Sequence, residues 1–245
     1  MAKRPPQIKP SPPREGPKPD FTGLKALLGA LLVAGAFGLG FWALEAFRAP
    51  FDPLATPDVT TPWKLSRAAE DPAQCQAALS AVAQFTPTQD REDSPVCHIR
   101  GQVVLTHTAG VGLSPMPTRC ASALRLALWV EHDLKPLAQT HLGADITQIH
   151  HFGSFSCRRM RTSAGEGRTM SAHATANAID ISGLSLSDGR RLSLKDSWSS
   201  PGSAAFWQAA RTGACTWFPT VLSPDYNSLH ADHFHLAKGR WSACR

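Results

Sequence analysis

The pattern of apolar and polar positions divides the chain into distinct regimes. Residues 26–44 read A-L-L-G-A-L-L-V-A-G-A-F-G-L-G-F-W-A-L, 19 positions without a charge. At a 1.5 Å rise, such a run spans about 28 Å, close to the hydrocarbon thickness of a bilayer. Residues 46–62 carry Pro50, Pro53, Pro57 and Pro62 and read as a linker. Beyond Trp63 the apolar residues return in short periodic groups, as in a folded domain. The predicted organisation is a tail over 1–25, a transmembrane helix over 26–45, a Pro-rich linker over 46–62 and an ectodomain over 63–245.

Within the ectodomain, residues 71–84 interleave Ala, Leu and Val with polar positions, which predicts a helix. The segment 96–106 is β-rich. Leu124, Ala127, Val130, Leu134, Leu137 and Ala138 step by three and four, which predicts a long helix to about Leu142 with Thr118 as its N-cap. Residues 145–152 alternate like a strand, 178–194 read as a hairpin around Asp188-Gly189, 203–211 as a short helix, and 233–237 as another strand. Helices and strands mix without regular βαβ alternation, so the predicted class is α+β.

Charge sharpens the topology. The chain carries a net +6, of which +4 lies in residues 1–25. Seven prolines in residues 1–20 prevent regular structure there, which predicts an extended, disordered basic arm. A basic balance confined to a tail does not point to nucleic acid, and none is expected as a partner. Positive charge before the apolar run predicts an inner-membrane, single-pass anchor with a cytoplasmic N-terminus and a periplasmic C-terminal domain. A cleaved signal peptide has a shorter basic region and a shorter apolar core, so the uncleaved anchor is the reading favoured here. Ala30, Ala34 and Gly38 recur at spacing four, which permits helix pairing.

All six cysteines, Cys75, Cys97, Cys120, Cys157, Cys215 and Cys244, lie beyond the linker, and no two are spaced C-x-x-C. In an exported domain that arrangement predicts three disulfides rather than a zinc knuckle. Fifteen pairings are possible and sequence does not choose among them. The working expectation is Cys75–Cys97, Cys120–Cys157 and Cys215–Cys244.

The chemistry concentrates in two clusters, S-A-H-A-T-A-N-A-I-D (171–180) and H-A-D-H-F-H (230–235). Strand alternation places Asp180 opposite in facing to Ile179 and Ile181, and His233 and His235 opposite to Phe234 and Leu236. Two imidazoles and a carboxylate then face the open side of neighbouring strands, where His173 is also expected to project. Three protein ligands leave a position for water, the layout of a catalytic rather than a structural zinc site. The same ligand types serve non-haem iron, but the gap from His173 to Asp180 and an oxidising compartment favour Zn²⁺. His150 and His151 read as strand or loop residues without a role.

The combination S-x-H-x-x-x-x-A-x-D with H-x-D-H-x-H resembles the zinc peptidases of the D-Ala-D-Ala carboxypeptidase and lysostaphin group. More closely, F-S-C-R (155–158), residues 171–180, C-T-W-F-P-T-V-L-S-P-D-Y-N (215–227) and H-A-D-H-F-H-L (230–236) resemble the bacterial extensin-like C-terminal domain family. The resemblance implies a hedgehog-like antiparallel sheet with flanking helices and activity on peptidoglycan or its stem peptides. It implies His173, Asp180 and His235 as metal ligands, Asp232 as general base, His230 and His233 as assisting histidines, and Arg158 as a contact to the substrate carbonyl. The related peptidases carry Gly where this chain has Ala176, a costly exchange if that position needs positive φ. An ideal strand would turn Asp232 away from His233 and His235. Asp232 can act only if the strand starts after it; otherwise His233 is the better base. A second reading is a non-catalytic envelope or cell-wall-associated module that keeps the fold. Retention of ligands, acid and histidines together favours the hydrolase.

In isolated envelopes the chain should fractionate with the membrane and keep its basic N-terminus. A mature N-terminus between residues 40 and 62 would overturn the uncleaved anchor.

Overall fold

The computed structural model describes residues 22–162, 165–239 and 241–245. They fall into two compact units, one ending at Ala49 and one running from Pro50 to Arg245. The basic arm expected over residues 1–25 lies outside the described residues as far as position 21. Residues 22–25 are helical, because α1 spans Thr22–Arg48 and so exceeds the expected 26–45 at both ends. Its large apolar side chains between Leu27 and Phe47 are exposed, and Lys25–Arg48 has a mean hydropathy of 2.1. It is long and apolar enough to cross a membrane, which suggests anchoring.

The segment expected to be a linker is a docked strap from residue 50 onward. Phe51 packs against the hydrophobic core, Pro53 is buried, and its carbonyl accepts a hydrogen bond from His132 Nε2 at 2.8 Å. An apolar residue in reach of a core does not stay solvated, whatever the proline content around it. Helix α2 (Thr61–Glu70) starts with Pro62 in its first turn, where the missing donor costs nothing. Helix α3 (Pro72–Ser80) follows, capped by Asp71. The helix expected to reach residue 84 stops at Ser80, and strand β1 (Ala83–Pro87) begins.

Next come β2 (Arg91–Ser94), β3 (Cys97–Ile99), β4 (Gln102–Thr108) and β5 (Val111–Arg119). Thr118 is therefore a strand residue, not an N-cap, and the helix starts at Cys120 with no side-chain cap. Its hydroxyl is committed instead to Ser154 Oγ at 2.7 Å. Pro115 and Pro117 are accommodated because β6 (Ile146–Gly153) pairs with β5 only at Gly112 and Leu113. The long helix runs as α4 (Cys120–Trp129), a π-turn (Val130–Leu134) and α5 (Lys135–Leu142). Pro136 accounts for the π-turn: it cannot donate back along the helix, and the widened turn absorbs the break.

The remaining elements are β7 (Arg159–Thr162), β8 (Gly165–Met170), β9 (Ala178–Leu186), β10 (Arg191–Ser193), α6 (Leu194–Ser197), α7 (Ala204–Trp217), β11 (Thr220–Leu222), β12 (Phe234–Ala237) and β13 (Ala243–Cys244). The main sheet has the order β1-β4-β5-β6-β9-β12-β11-β13, with β10 also paired to β9. It is largely antiparallel, with parallel pairings of β5 with β6 and β11 with β13. Helices flank the sheet, so the class is α+β. Gly183 in β9 is required by close approach, since a Cβ there would sit 2.4 Å from the Leu192 carbonyl oxygen.

α4 is buried along its whole length and forms the centre of the core. Trp129, Trp198 and Trp207 each meet the ring of Phe234 edge-on, with centroids 5.7–5.9 Å apart. Phe234 thereby fixes β12 with its apolar side inward. The helix expected over 203–211 continues to Trp217, whose Nε1 donates to Asp133 Oδ2 at 2.6 Å.

Three disulfides are present, Cys75–Cys120, Cys97–Cys157 and Cys215–Cys244. Only the last matches the expected pairing. Packing decides the other two: α3 lies against the start of α4, bringing Cys75 to Cys120, and β3 lies beside the segment that enters β7, bringing Cys97 to Cys157. Cross-links fit an extracytoplasmic domain.

The Cys97–Cys157 bridge closes a loop 60 residues apart in sequence. Its replacement by two serines should cost up to about 4 kcal/mol in chemical denaturation, on the chain-entropy scale. Loss of less than about 1 kcal/mol would show that the bridge does not constrain the unfolded chain.

Candidate metal centre

Two short turns and two strands deliver the polar cluster. Ser171 caps a 3₁₀ turn, Ala172–Thr175, by accepting from the His173 backbone N–H at 3.3 Å. His173 thus comes from a turn preceding β9, not from the open face of a strand. Asp180 lies in β9 and His235 in β12, directly opposite each other in the antiparallel register. Ile179, Ile181, Phe234 and Leu236 take the buried positions between them, as the alternation predicts.

His173 Nε2 lies 3.1 Å from Asp180 Oδ2 and 3.1 Å from His235 Nδ1, and His235 Nδ1 lies 2.9 Å from Asp180 Oδ1. The other nitrogen of His173, Nδ1, faces the Ser154 carbonyl at 2.9 Å and can only donate to it. A neutral His173 therefore turns a lone pair toward a carboxylate and a second ring nitrogen. Such a cluster calls for either shared protons or a cation. Donor atoms about 3 Å apart suit bonds of about 2.0–2.2 Å to one tetrahedral ion. Among the described residues, Asp180, His173 and His235 group as potential ligands.

Electrostatics agree with ligation. Burial alone would raise the Asp180 pKa, but hydrogen bonds and charge from His173 and His235 hold the carboxyl well below the usual carboxylate range. Burial pushes the His235 imidazole down, against the pull of the Asp180 carboxylate. His230 is pushed down to about 4, first by burial and then by the neighbouring charges of His233 and His235.

Asp232 and His233 precede β12, so Asp232 sits in the turn rather than in the strand. Asp232 Oδ1 accepts from His233 Nδ1 at 2.7 Å, and His233 Nε2 points inward, 3.7 Å from Asp180 Oδ1. His230 lies on a second 3₁₀ turn, Ser228–His230, capped by Asn227. Its Nδ1 donates to Asn227 Oδ1 at 2.7 Å, and its ring lies 5.3 Å from that of His233. Arg158 makes no hydrogen bond or ion pair to these six side chains among the described residues. Its charge nevertheless reaches His230 and contributes to that group's lowered pKa. His150 bonds Ser185 Oγ and His151 donates to the Ser114 carbonyl, both outside the cluster.

Three supporting residues were not singled out from the sequence. Ser154 orients His173 through its carbonyl, and its hydroxyl donates to Ala178 O at 2.7 Å, pinning the start of β9. A backbone carbonyl has no sequence signature. Phe152, 62% exposed, packs edge-on against His233 at 5.7 Å. Asn227 was findable, as an Asx cap immediately before S-L-H.

Residues 50–245 thus form an α+β unit with a largely buried His/His/Asp cluster over β9 and β12, two neighbouring interior strands of its sheet. The chain belongs to the family described as Extensin-like protein C-terminus, which matches residues 73–245. Neither the curated proteins nor the solved structures give a match.

Ala176 is fully buried and left-handed, at φ 49° and ψ 31°. Alanine is strained there by about 1–2 kcal/mol. The turn is pinned regardless, because Ser122 Oγ donates to the Ala176 carbonyl at 2.8 Å. Ala176→Gly should change stability by less than about 1 kcal/mol, since relief of strain offsets the lost methyl and the looser unfolded chain. Ala176→Val should cost more than about 2 kcal/mol. Urea unfolding checks both, and a large loss on Ala176→Gly would contradict the strain.

Proposed function

We propose that this protein is a membrane-anchored, zinc-dependent hydrolase of the D,D-carboxypeptidase or endopeptidase type, acting on peptidoglycan stem peptides. In this reading it spans the inner membrane once, with its N-terminus cytoplasmic and residues 50–245 in the periplasm. The observation that carries it is the convergence of His173 Nε2, His235 Nδ1 and the Asp180 carboxylate, with His173 Nδ1 already committed to a carbonyl. The apolar N-terminal helix and the three disulfides support the compartment.

His173, Asp180 and His235 would hold the Zn²⁺. When bound, the ion supplies Lewis acidity and makes a water nucleophilic near neutral pH. Asp232 fixes His233 with Nδ1 as the donor, which leaves Nε2 facing the cluster as a proton acceptor. His233 then takes the proton of the attacking water, and Asp232 stabilises the resulting imidazolium. This assigns base duty to the pair, with proton transfer at His233 Nε2. His230 has Nδ1–H committed to Asn227, so its neutral ring presents Nε2 as a second acceptor beside His233. Arg158 supplies positive charge for the substrate carbonyl oxygen.

The test uses the full chain in a neutral detergent. His173→Ala, Asp180→Ala and His235→Ala should each abolish zinc retention by elemental analysis. Asp232→Ala and His233→Ala should keep the metal and lower muropeptide hydrolysis, read by mass, by about a hundredfold or more. Stoichiometric zinc in His173→Ala would overturn the ligand assignment. Full zinc without turnover of any muropeptide would favour the non-catalytic envelope module.

A further inference from the structure

Outside the metal cluster, unclaimed charge concentrates on the β7–β8 hairpin. Residues 158–170 read R-R-M-R-T-S-A-G-E-G-R-T-M, with four arginines, one glutamate and no lysine. The hairpin forms a two-stranded sheet of its own, and Arg159, Arg161 and Arg168 are exposed. Arg159 and Arg161 share a face of β7. Met160 between them turns to the other side, where Thr169 Oγ1 lies 3.4 Å from its sulfur. Arg161 stands opposite Glu166 in the register. Among the described residues, however, no ion pair engages any of these arginines. Arg159 donates to the Arg168 carbonyl, a bond that stiffens the hairpin rather than neutralising it.

The position of this charge matters as much as its amount. Ser171 N donates to Arg158 O at 3.0 Å, closing the hairpin root, and Ser156 N donates to His173 O at 3.0 Å. Cys157 ties the same root to β3. The arginine face therefore springs from the turn that carries His173, and Arg161 lies no more than about 10 Å along the strand from Arg158.

We propose that the face formed by Arg159, Arg161 and the neighbouring Arg168 docks the carboxylates of an anionic peptide substrate, holding it beside the His173 cluster. The proposal rests on the peptide-hydrolase reading. Guanidinium forks match carboxylates in a bidentate way, and a face without internal acid pairing leaves those donors to a ligand. A lipid headgroup offers phosphate to the same chemistry, but continuity with the His173 turn favours an occupant that also reaches the cluster.

The test measures binding by fluorescence anisotropy on the full chain in neutral phosphatidylcholine nanodiscs, stripped of metal by dialysis against a chelator. The probe is fluorescent Ala-γ-Glu-Lys-Ala-Ala with both carboxylates free, compared with the same peptide amidated at both. The free peptide should bind more tightly, and Arg161→Gln with Arg168→Gln should weaken it about tenfold while leaving the amidated peptide unaffected. Arg161→Lys with Arg168→Lys should recover part of the loss, showing that charge rather than folding is read. Equal binding of the two peptides, or no effect of the double substitution, overturns the proposal. If the arginine-dependent affinity vanishes in discs with a third of their lipid as phosphatidylglycerol, the face belongs to headgroups and the proposal fails. Because the assay needs no metal and no turnover, failure of the zinc reading leaves this result standing, and the reverse holds as well.

Discussion

The antiparallel register of β9 and β12 is the constraint on which the rest of the site depends. It sets His235 opposite Asp180, with Ile179, Ile181, Phe234 and Leu236 on the inner side. A slip of one residue would exchange the two faces, burying the carboxylate and exposing the isoleucines. The core prevents that slip. Phe234 is held edge-on by three tryptophans from α4, from the end of α6 and from α7, so the strand has a single comfortable seat. The polar cluster is thus positioned by apolar packing one residue away on the same strand.

What the register does not supply, the turns do. His173 depends on a capped 3₁₀ turn and on the Ser154 carbonyl, which fixes both its orientation and its tautomer. Ser154 in turn joins Thr118, Ala178 and the Ala176 carbonyl, which Ser122 also reaches, into one buried polar chain. Such chains are stable only when every member finds a partner, and these hydroxyls do. The left-handed Ala176 shows how strongly that surrounding network dictates local geometry, since it holds alanine where glycine would be easier.

The covalent frame follows the same logic. Cys97–Cys157 fastens the segment that leads from β6 into the arginine-bearing hairpin, while Cys75–Cys120 joins α3 to the central helix. Together with the docked strap at Phe51 and Pro53, they tie the periphery to a core that the sheet and α4 already define.

Much of this was legible in the sequence because it follows from local periodicity. The charge-free run, the alternation of Ile179-Asp180-Ile181 and of Phe234-His235-Leu236, and the Asp188-Gly189 hairpin each depend on neighbours in the chain. Residue type and alternation gave a His/His/carboxylate set, and the resemblance to the zinc peptidases singled out His173, Asp180 and His235 within it. Pairing and docking were not legible, because they depend on which surfaces meet after collapse. Proline content made residues 50–60 look like free linker, yet Phe51 found the core. Thr118 looked like a cap, but its hydroxyl was needed by Ser154 and the strand ran through it. Two of three disulfides followed helix and strand packing rather than proximity in sequence. Asp232 and His233 could be given their places only once the start of β12 was fixed at Phe234. Local sequence determined which residues could face one another; the tertiary structure decided which ones do, because long-range packing alone sets the distances between segments.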